Sequence, residues 1–268
     1  MAFVNIDGGR IYYEMVGKGP VVVLGHAGFV DSRMWDAQWN EFTNHYTVLR
    51  YDMQGHGQSE VVSGPISRRD ELLNLLQQLG VEQALFIGSS LSGATFIDFA
   101  IEHPETVTSL ITVNAVPNGF DMEGDPPRYV MEMIQASQQG DFDLVTELQI
   151  RIWIDGMYRE PEAVNSLIRQ QAAEMNRTPV QNNTWMIADS QPLTPLDPPA
   201  INRLHEITCP VLAIDGALDH PEVRRATKIM TDNIQHAQHI TIDDTAHMPS
   251  MEKPAEFNRI VQAYLVNL

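Results

Sequence analysis

Apolar residues follow two different spacings along this chain. Wholly apolar or alternating runs predict strands, whereas Leu72, Leu75, Leu76 and Leu79 recur at helical spacing until Gly80. The run at residues 21–24 is entirely apolar, which is typical of a strand buried on both faces of a parallel sheet. Strands are predicted at residues 3–6, 10–14, 21–24, 47–51, 84–87, 109–113, 211–214 and 239–242.

Helical patterns separate most of these strands. They are predicted at residues 31–42, 68–79, 91–103, 221–232 and 254–268. Alternation of this kind indicates βαβ units. We therefore predict an α/β fold: a mostly parallel, eight-stranded sheet flanked by helices.

The alternation stops between residues 117 and 199. Helices are predicted there at residues 128–139, 142–154, 161–175 and 184–189, and prolines cluster at both ends of the segment. This pattern predicts a helical cap, residues 117–199, inserted after the sixth strand. Residues 1–116 and 200–268 would then form the core domain.

Composition narrows the range of partners. The net charge of −18 disfavours nucleic acids and anionic membranes, and no apolar stretch is long enough to span a bilayer. A single cysteine, Cys209, and an N-terminus without a signal-peptide pattern favour a cytoplasmic protein. We expect a small-molecule substrate and neither cofactor nor metal, and a homodimer remains open.

The segment around Ser90 carries the first candidate catalytic group. A predicted strand ends at Gly88, Ser89 and Ser90 form a tight turn, and a helix follows. The pattern resembles G-x-S-x-G, the strained turn that exposes a nucleophilic serine, except that Ser92 stands at the last glycine. Ser90 is the predicted nucleophile because small residues flank it two positions away on each side. An ordinary turn with an N-capping serine is the structural alternative.

The acid and the base are predicted on loops after the last two strands. Asp219 follows the strand at 211–214 and His247 follows the strand at 239–242, so both lie at carboxyl ends of parallel strands. The chain order serine, aspartate, histidine is that of a nucleophilic triad, in which the histidine accepts the serine proton. Asp215 competes with Asp219, but it stands at the strand end, where its reach is shorter.

Further site residues follow from the needs of an acyl transfer. Backbone N–H groups of Gly28 and Leu91 are the predicted oxyanion donors. Phe29, Trp153, Trp185 and Met248 are predicted to line the substrate pocket. Arginines 128, 151 and 159 are candidates to bind a substrate carboxylate, with solvated surface as the alternative.

The motifs together resemble the α/β-hydrolase superfamily over nearly the whole chain, most closely the β-ketoadipate enol-lactone hydrolases and their esterase and perhydrolase relatives. The resemblance is carried by residues 26–35, 48–59, 88–93 and 216–219, and by His247 with residues 252–254. It implies Ser90 as nucleophile, Asp219 as acid and His247 as base, with the amides of Gly28 and Leu91 at the oxyanion. Ala27, Gln54 and Ser92 depart from the usual pattern, and we expect the Ser92 hydroxyl to bind a carbonyl one helical turn back or to approach Ser90.

We accordingly predict a serine hydrolase that cleaves a small carboxylic ester or lactone through an acyl-enzyme. Carbon–carbon bond hydrolysis and perhydrolysis could use the same triad, and a ligand receptor with little turnover is a third alternative. Epoxide and haloalkane hydrolysis are disfavoured because those reactions use an aspartate where this chain has Ser90.

Overall fold

A computed structural model describes residues 2–7 and 9–268. In this part of the chain eight strands form one sheet, as predicted. The strands are β1 Ala2–Ile6, β2 Gly9–Gly17, β3 Val21–Gly25, β4 Thr47–Tyr51, β5 Ala84–Ser89, β6 Val107–Val113, β7 Val211–Gly216 and β8 Gln238–Ile242.

The sheet order is β1-β2-β4-β3-β5-β6-β7-β8. β2 is antiparallel to both of its neighbours, and every other pairing is parallel. The parallel strands therefore present their carboxyl ends at one edge, where β3, β5, β7 and β8 each lead into a predicted site loop. Gly8, which separates β1 and β2 in the sequence, lies outside the described residues.

Helices cover both faces of the sheet. They are α1 Asp36–Thr43, α2 Arg68–Leu79, α3 Leu91–Glu102, α4 Val130–Gln139, α5 Phe142–Ile150, α6 Ser166–Gln181, α7 Pro221–Asn233, α8 Pro249–Glu252 and α9 Pro254–Leu265. α2 is capped at both ends: the Ser67 hydroxyl accepts from Asp70 N–H, and the helix ends at Gly80 with φ 67°.

Successive side chains of β3 belong to two different core clusters, one on each face of the sheet. Val22 and Leu24 belong to a core cluster that also contains side chains of α1 and α9. Val23, between them, belongs to the cluster formed with α2, α3 and α7. Successive side chains of a strand point to opposite faces, so a wholly apolar strand is the sequence pattern of a sheet covered on both sides.

The segment between β6 and β7 contains α4, α5 and α6, which confirms a helical insertion after the sixth strand. The domain limits at 117 and 199 stay a prediction. Within the insertion, the predicted helix 142–154 is α5 followed by one π-helical turn, Arg151–Asp155, and the predicted helix 184–189 is a π-helical turn, Trp185–Asp189. Among the described residues no helix is both long and apolar enough to cross a membrane.

Candidate active site

Ser90 occupies a strained position between β5 and α3. Its φ of 50° and ψ of −112° lie outside the regions that L-residues usually adopt, and its side chain is half-buried. Ser89, in contrast, is fully buried inside β5, and its hydroxyl has no hydrogen-bond partner among the described residues. The structure therefore places Ser90, and not Ser89, at the turn.

Small residues around the turn are required by close packing. A side chain added at Gly88 would come within 2.6 Å of the Phe96 ring, and one added at Gly93 within 2.5 Å of Ala115 Cβ. Ser92 packs against Gly25 of β3, where an added Cβ would lie 2.5 Å from Ser92 Cβ. The helix start thus presses against its neighbouring strand, which is the packing that the small flanking residues predict.

The expectation for the Ser92 hydroxyl is wrong. Its Oγ donates to the carbonyl of His26 at 2.6 Å, neither to a carbonyl one turn back in α3 nor toward Ser90. The reason is the direction of the side chain. Ser92 is fully buried against Gly25, so the nearest acceptor lies at the end of β3, where the loop to Gly28 begins.

Asp219 and His247 form a buried pair. His247 Nδ1 lies 2.7 Å from Asp219 Oδ2, and the two side chains are each 4% exposed. Asp219 Oδ1 accepts from the N–H of His220 at 2.7 Å, which fixes the carboxylate. With Nδ1 donating to the aspartate, His247 Nε2 is the nitrogen left to accept a proton.

Asp215, the competitor, has other partners. Its Oδ2 lies 3.3 Å from Arg224 Nε and its Oδ1 lies 3.1 Å from His239 Nε2. Burial opposes ionisation of Asp215, but the hydrogen bond from His239 and the positive charge of Arg224 outweigh it and hold the pKa of the carboxyl below its ordinary value. The structure therefore assigns Asp215 to an ion pair on the sheet and leaves Asp219 with His247.

The two predicted oxyanion residues are neighbours. A Cβ added at Gly28 would lie 3.0 Å from Leu91 Cδ2, and Leu91 is the first residue of α3. Neither amide donates to another group in the described part of the chain. An N–H in the first turn of a helix has no partner within the helix, so Leu91 N–H is free to bind an anion.

His26 fixes the orientation of the Gly28 amide. His26 Nδ1 donates to the carbonyl of Ala27 at 2.8 Å, and Val30 N–H donates to the same oxygen. The Ala27 carbonyl and the Gly28 N–H belong to the same peptide, and in a trans peptide these two groups point in opposite directions. The hydrogen bond from His26 therefore makes Gly28 N–H point away from the His26 ring. His26 Nε2 accepts from Met53 N–H at 2.9 Å, and burial lowers the pKa of His26 to about 4.

Aromatic rings cover the imidazole of His247. The centroid of the Trp153 ring lies 4.7 Å from that of the imidazole. The centroid of the Phe29 ring lies 6.5 Å from that of the imidazole and 6.2 Å from that of Trp153. Met248 is fully buried beside them in the core cluster. The wall next to His247 is therefore aromatic and apolar.

Trp185 does not join this group. It is 56% exposed, and its ring makes none of the contacts that connect Phe29, Trp153 and His247. The cause lies in its helical turn, where Thr184 and Ala188 face inward and leave Trp185 on the outer side. Its place in the substrate pocket stays an untested prediction that the structure does not favour.

The three arginines proposed for a substrate carboxylate are paired with protein carboxylates. Arg128 and Arg151 both bind Glu160, and Arg159 binds Glu252 at 2.7 Å. Arg159 also donates to three backbone carbonyls. In residues 2–7 and 9–268, no three or more His, Cys, Asp or Glu side chains are arranged to hold a metal ion.

Sequence reasoning assigned no role to two groups beside the pair. Asn114, at the end of β6, donates from Nδ2 to the carbonyl of Ala246, and Glu252 Oε1 accepts from Ala246 N–H. The only sequence signal for Asn114 is its position after a strand whose carboxyl end faces the site, which does not specify a partner.

The profile of the alpha/beta hydrolase family matches residues 21–260. The chain is 26% identical over 253 residues to 3-oxoadipate enol-lactonase 1 of Acinetobacter baylyi, covering 94% of this chain and 90% of that protein. It is 25% identical to the pimeloyl-[acyl-carrier protein] methyl ester esterase of Yersinia enterocolitica, covering 94% and 96% of the two chains.

A solved structure agrees with the fold. The enol-lactonase from Burkholderia xenovorans LB400 superposes with a TM-score of 0.79 at 23% identity, covering 99% of this chain and all of that one. At this level of identity the likeness concerns the fold alone.

Proposed function

Because this chain belongs to the alpha/beta hydrolase family, we propose that it is a serine hydrolase cleaving a small carboxylic ester or lactone, with Ser90, His247 and Asp219 as its triad. The observation that carries the proposal is the buried hydrogen bond between His247 and Asp219, at the same sheet edge as the strained Ser90. If His247 had only a structural role, the strained backbone of Ser90 at the same edge would have no explanation, because such strain is found mainly at functional sites.

The arrangement supports a two-step acyl transfer. Ser90 Oγ attacks the acyl carbon while His247 Nε2 takes its proton, and Asp219 stabilises the resulting imidazolium. The N–H groups of Gly28 and Leu91 bind the negative oxygen of the tetrahedral intermediate. The imidazolium then protonates the leaving alkoxide. Nε2 next takes a proton from water as the water oxygen attacks the acyl carbon, and it passes that proton to Ser90 Oγ as the acid is released.

The names of two relatives support the bond class. One is an enol-lactonase and the other a methyl ester esterase, and both names describe cleavage of an acyl–oxygen bond. The insertion between β6 and β7 would act as a cap that shapes the acyl site through Trp153, whose ring lies against His247.

A fluorophosphonate tests the nucleophile. The reagent should add to one serine, and peptide mass spectrometry should locate it on Ser90. Ser90→Ala should abolish both labelling and the hydrolysis of p-nitrophenyl butyrate, while Ser89→Ala, a matched loss of one hydroxyl, should keep labelling on Ser90. An adduct on Ser89 or Ser92, or full hydrolysis by Ser90→Ala, would contradict the proposal.

A further inference from the structure

The backbone on both sides of the Ala246–His247 peptide is held by three other segments. Ala246 N–H donates to Glu252 Oε1 at 2.9 Å, and the Ala246 carbonyl accepts from Asn114 Nδ2 at 3.0 Å. His247 N–H donates to the carbonyl of Trp153 at 3.3 Å. The N–H and C=O of Ala246 and the N–H of His247 therefore each have a fixed partner.

Asn114 differs from the other two partners because it also holds the segment that carries the acid. Its Oδ1 accepts from Gly216 N–H at 3.0 Å, and Gly216 accepts in turn from Asp219 N–H at 3.1 Å. One side-chain amide thus bridges the end of β7 and the residue before His247. Both of its polar atoms are used, and Asn114 is 1% exposed.

The backbone of Asn114 is adapted to this bridge. Its φ is 47°, a left-handed conformation that asparagine tolerates better than most residues, and its N–H donates to the Ile214 carbonyl at 2.9 Å. The side chain is thereby directed from β6 across β7 toward β8. A turn at this position would need only the left-handed backbone. The two side-chain hydrogen bonds, to Gly216 and to Ala246, are additional to it.

We propose that Asn114 is a positioning residue that sets the distance between His247 and Asp219. The inference rests on the proposed function, because it assigns Asn114 to the orientation of the proposed base. The hydrogen bond between His247 Nδ1 and Asp219 Oδ2 depends steeply on distance and angle, so a small shift of either loop weakens it. Weakening it removes the orientation of the imidazole, and a displacement of 1 Å can cost about 100-fold in rate.

Two variants separate the bridge from the backbone conformation. Asn114→Gly removes both hydrogen bonds but keeps the left-handed backbone, which glycine adopts freely. Asn114→Asp keeps the shape and the acceptor for Gly216 N–H, but an ionised carboxylate cannot donate to Ala246. Both variants should lower kcat for p-nitrophenyl butyrate by about 10- to 100-fold with little change in KM.

Asn258 supplies the matched control. Asn258 lies in α9, and both polar atoms of its buried amide bind α1, where Oδ1 accepts from Gln38 and Nδ2 donates to the Ala37 carbonyl. Asn258→Ala removes two hydrogen bonds of a buried asparagine amide at a helix contact and should change thermal stability but neither kcat nor its pH profile. In Asn114→Gly the pH profile of kcat should change as well, because the imidazolium of His247 loses part of its stabilisation by Asp219.

An activity-independent measurement keeps the inference separate from the proposed function. The proton shared by His247 Nδ1 and Asp219 should give a far-downfield NMR resonance in the wild-type protein. That resonance should move or broaden in Asn114→Gly and stay unchanged in Asn258→Ala. If the wild-type protein hydrolyses no ester but the resonance behaves this way, the proposed function fails and the positioning role stands. If folded Asn114→Gly keeps the wild-type resonance, kcat and pH profile, the positioning role is wrong.

Discussion

Asp215 and Asp219 lie close together at the end of β7, and they differ in the side chains that they bind. Asp215 lies in an ion pair with Arg224 and His239, whereas Asp219 accepts from His247. Both are buried; Asp215 lies near the end of β7, and Asp219 lies in the loop that follows it. Distance along the chain could rank them from the sequence, but the partners that decide between them come from α7, β8 and the loop after β8.

Asparagine substitutions test this difference. Asp219→Asn should lower kcat by up to about four orders of magnitude, because the amide neither stabilises the imidazolium nor selects the same tautomer. Asp215→Asn should keep kcat within about tenfold and lower the melting temperature instead, since it leaves Arg224 and His239 without their carboxylate. Steady-state kinetics and thermal melting of the two variants check this. Greater loss of kcat in Asp215→Asn would reassign the acid.

Ser92 gives a second prediction at a single residue. Ser92→Gly removes the hydrogen bond to the His26 carbonyl but creates no clash, so activity should stay within about tenfold and stability should fall by about 1–2 kcal/mol. Ser92→Val adds a branched side chain where Gly25 already packs at the limit, and it should unfold or inactivate the protein. Melting temperatures and ester turnover decide it. Equal tolerance of valine and glycine would show that the contact with Gly25 is not tight.

At the scale of elements, two buried imidazoles join the loops after β3 and β4. His26 accepts from Met53 N–H, and His56 Nε2 donates to the Gly28 carbonyl at 2.9 Å. Burial lowers the pKa of each to about 4. Both rings are therefore neutral in the folded protein, and the loop that carries Gly28 depends on their remaining so.

The pH dependence of stability follows from these values. A histidine whose pKa is near 6.5 when unfolded and about 4 when folded stabilises the fold above pH 6.5, and that contribution is lost as the pH falls toward 4. Between pH 7 and pH 5 the free energy of unfolding should fall by about 1–2 kcal/mol for each imidazole. Urea unfolding at both pH values checks it. His56→Gln should reduce the loss, and exposed His205→Gln should not; an equal loss in all three proteins would contradict the assignment.

The sheet and its loops could be predicted from the sequence because their pattern is local. Apolar runs such as 21–24 mark strands buried on both faces, and the strand ends place Ser90, Asp219 and His247 at one edge. Boundaries were less accurate: β2 extends to Gly17, where residues 10–14 were predicted, because it pairs with β4 along that length. The predicted helix 31–42 is divided into a 3-10 turn, Ser32–Trp35, and α1.

The insertion was predicted less well because packing overrides propensity there. α6 was predicted to end at residue 175, yet it continues through Pro179 to Gln181. Proline removes a helical hydrogen bond, but Pro179 and Val180 are buried, and that burial favours continuation. The placement of Trp185 outside the aromatic group has the same origin, since spacing alone does not tell which side of a short turn faces inward.

At the scale of the whole molecule, a strongly negative protein has an uncharged aromatic wall beside the candidate base His247. The net charge is −18, and the arginines of the insertion that were candidates for a substrate carboxylate are held by Glu160 and Glu252. The groups beside His247 are the rings of Phe29 and Trp153. An anionic acyl group would therefore be repelled by the net negative charge of the protein. At the site it would lie against an apolar wall, and these arginines would not neutralise it because they are already bound to protein carboxylates.

This arrangement predicts a preference for uncharged acyl groups. The test compares mono-p-nitrophenyl glutarate with its methyl ester, which has a similar chain length but no charge. We expect kcat/KM for the anionic ester to be lower by about 10-fold or more, because burying an unpaired carboxylate costs more than about 1.4 kcal/mol. Added salt should narrow the difference, since it screens the repulsion outside the site but not the loss of hydration within it. The reaction without enzyme is subtracted, because the free carboxylate can attack its own ester. A higher kcat/KM for the anionic ester would mean that an arginine exchanges its protein carboxylate for the substrate, and Arg159→Gln and Arg151→Gln would then identify which one does.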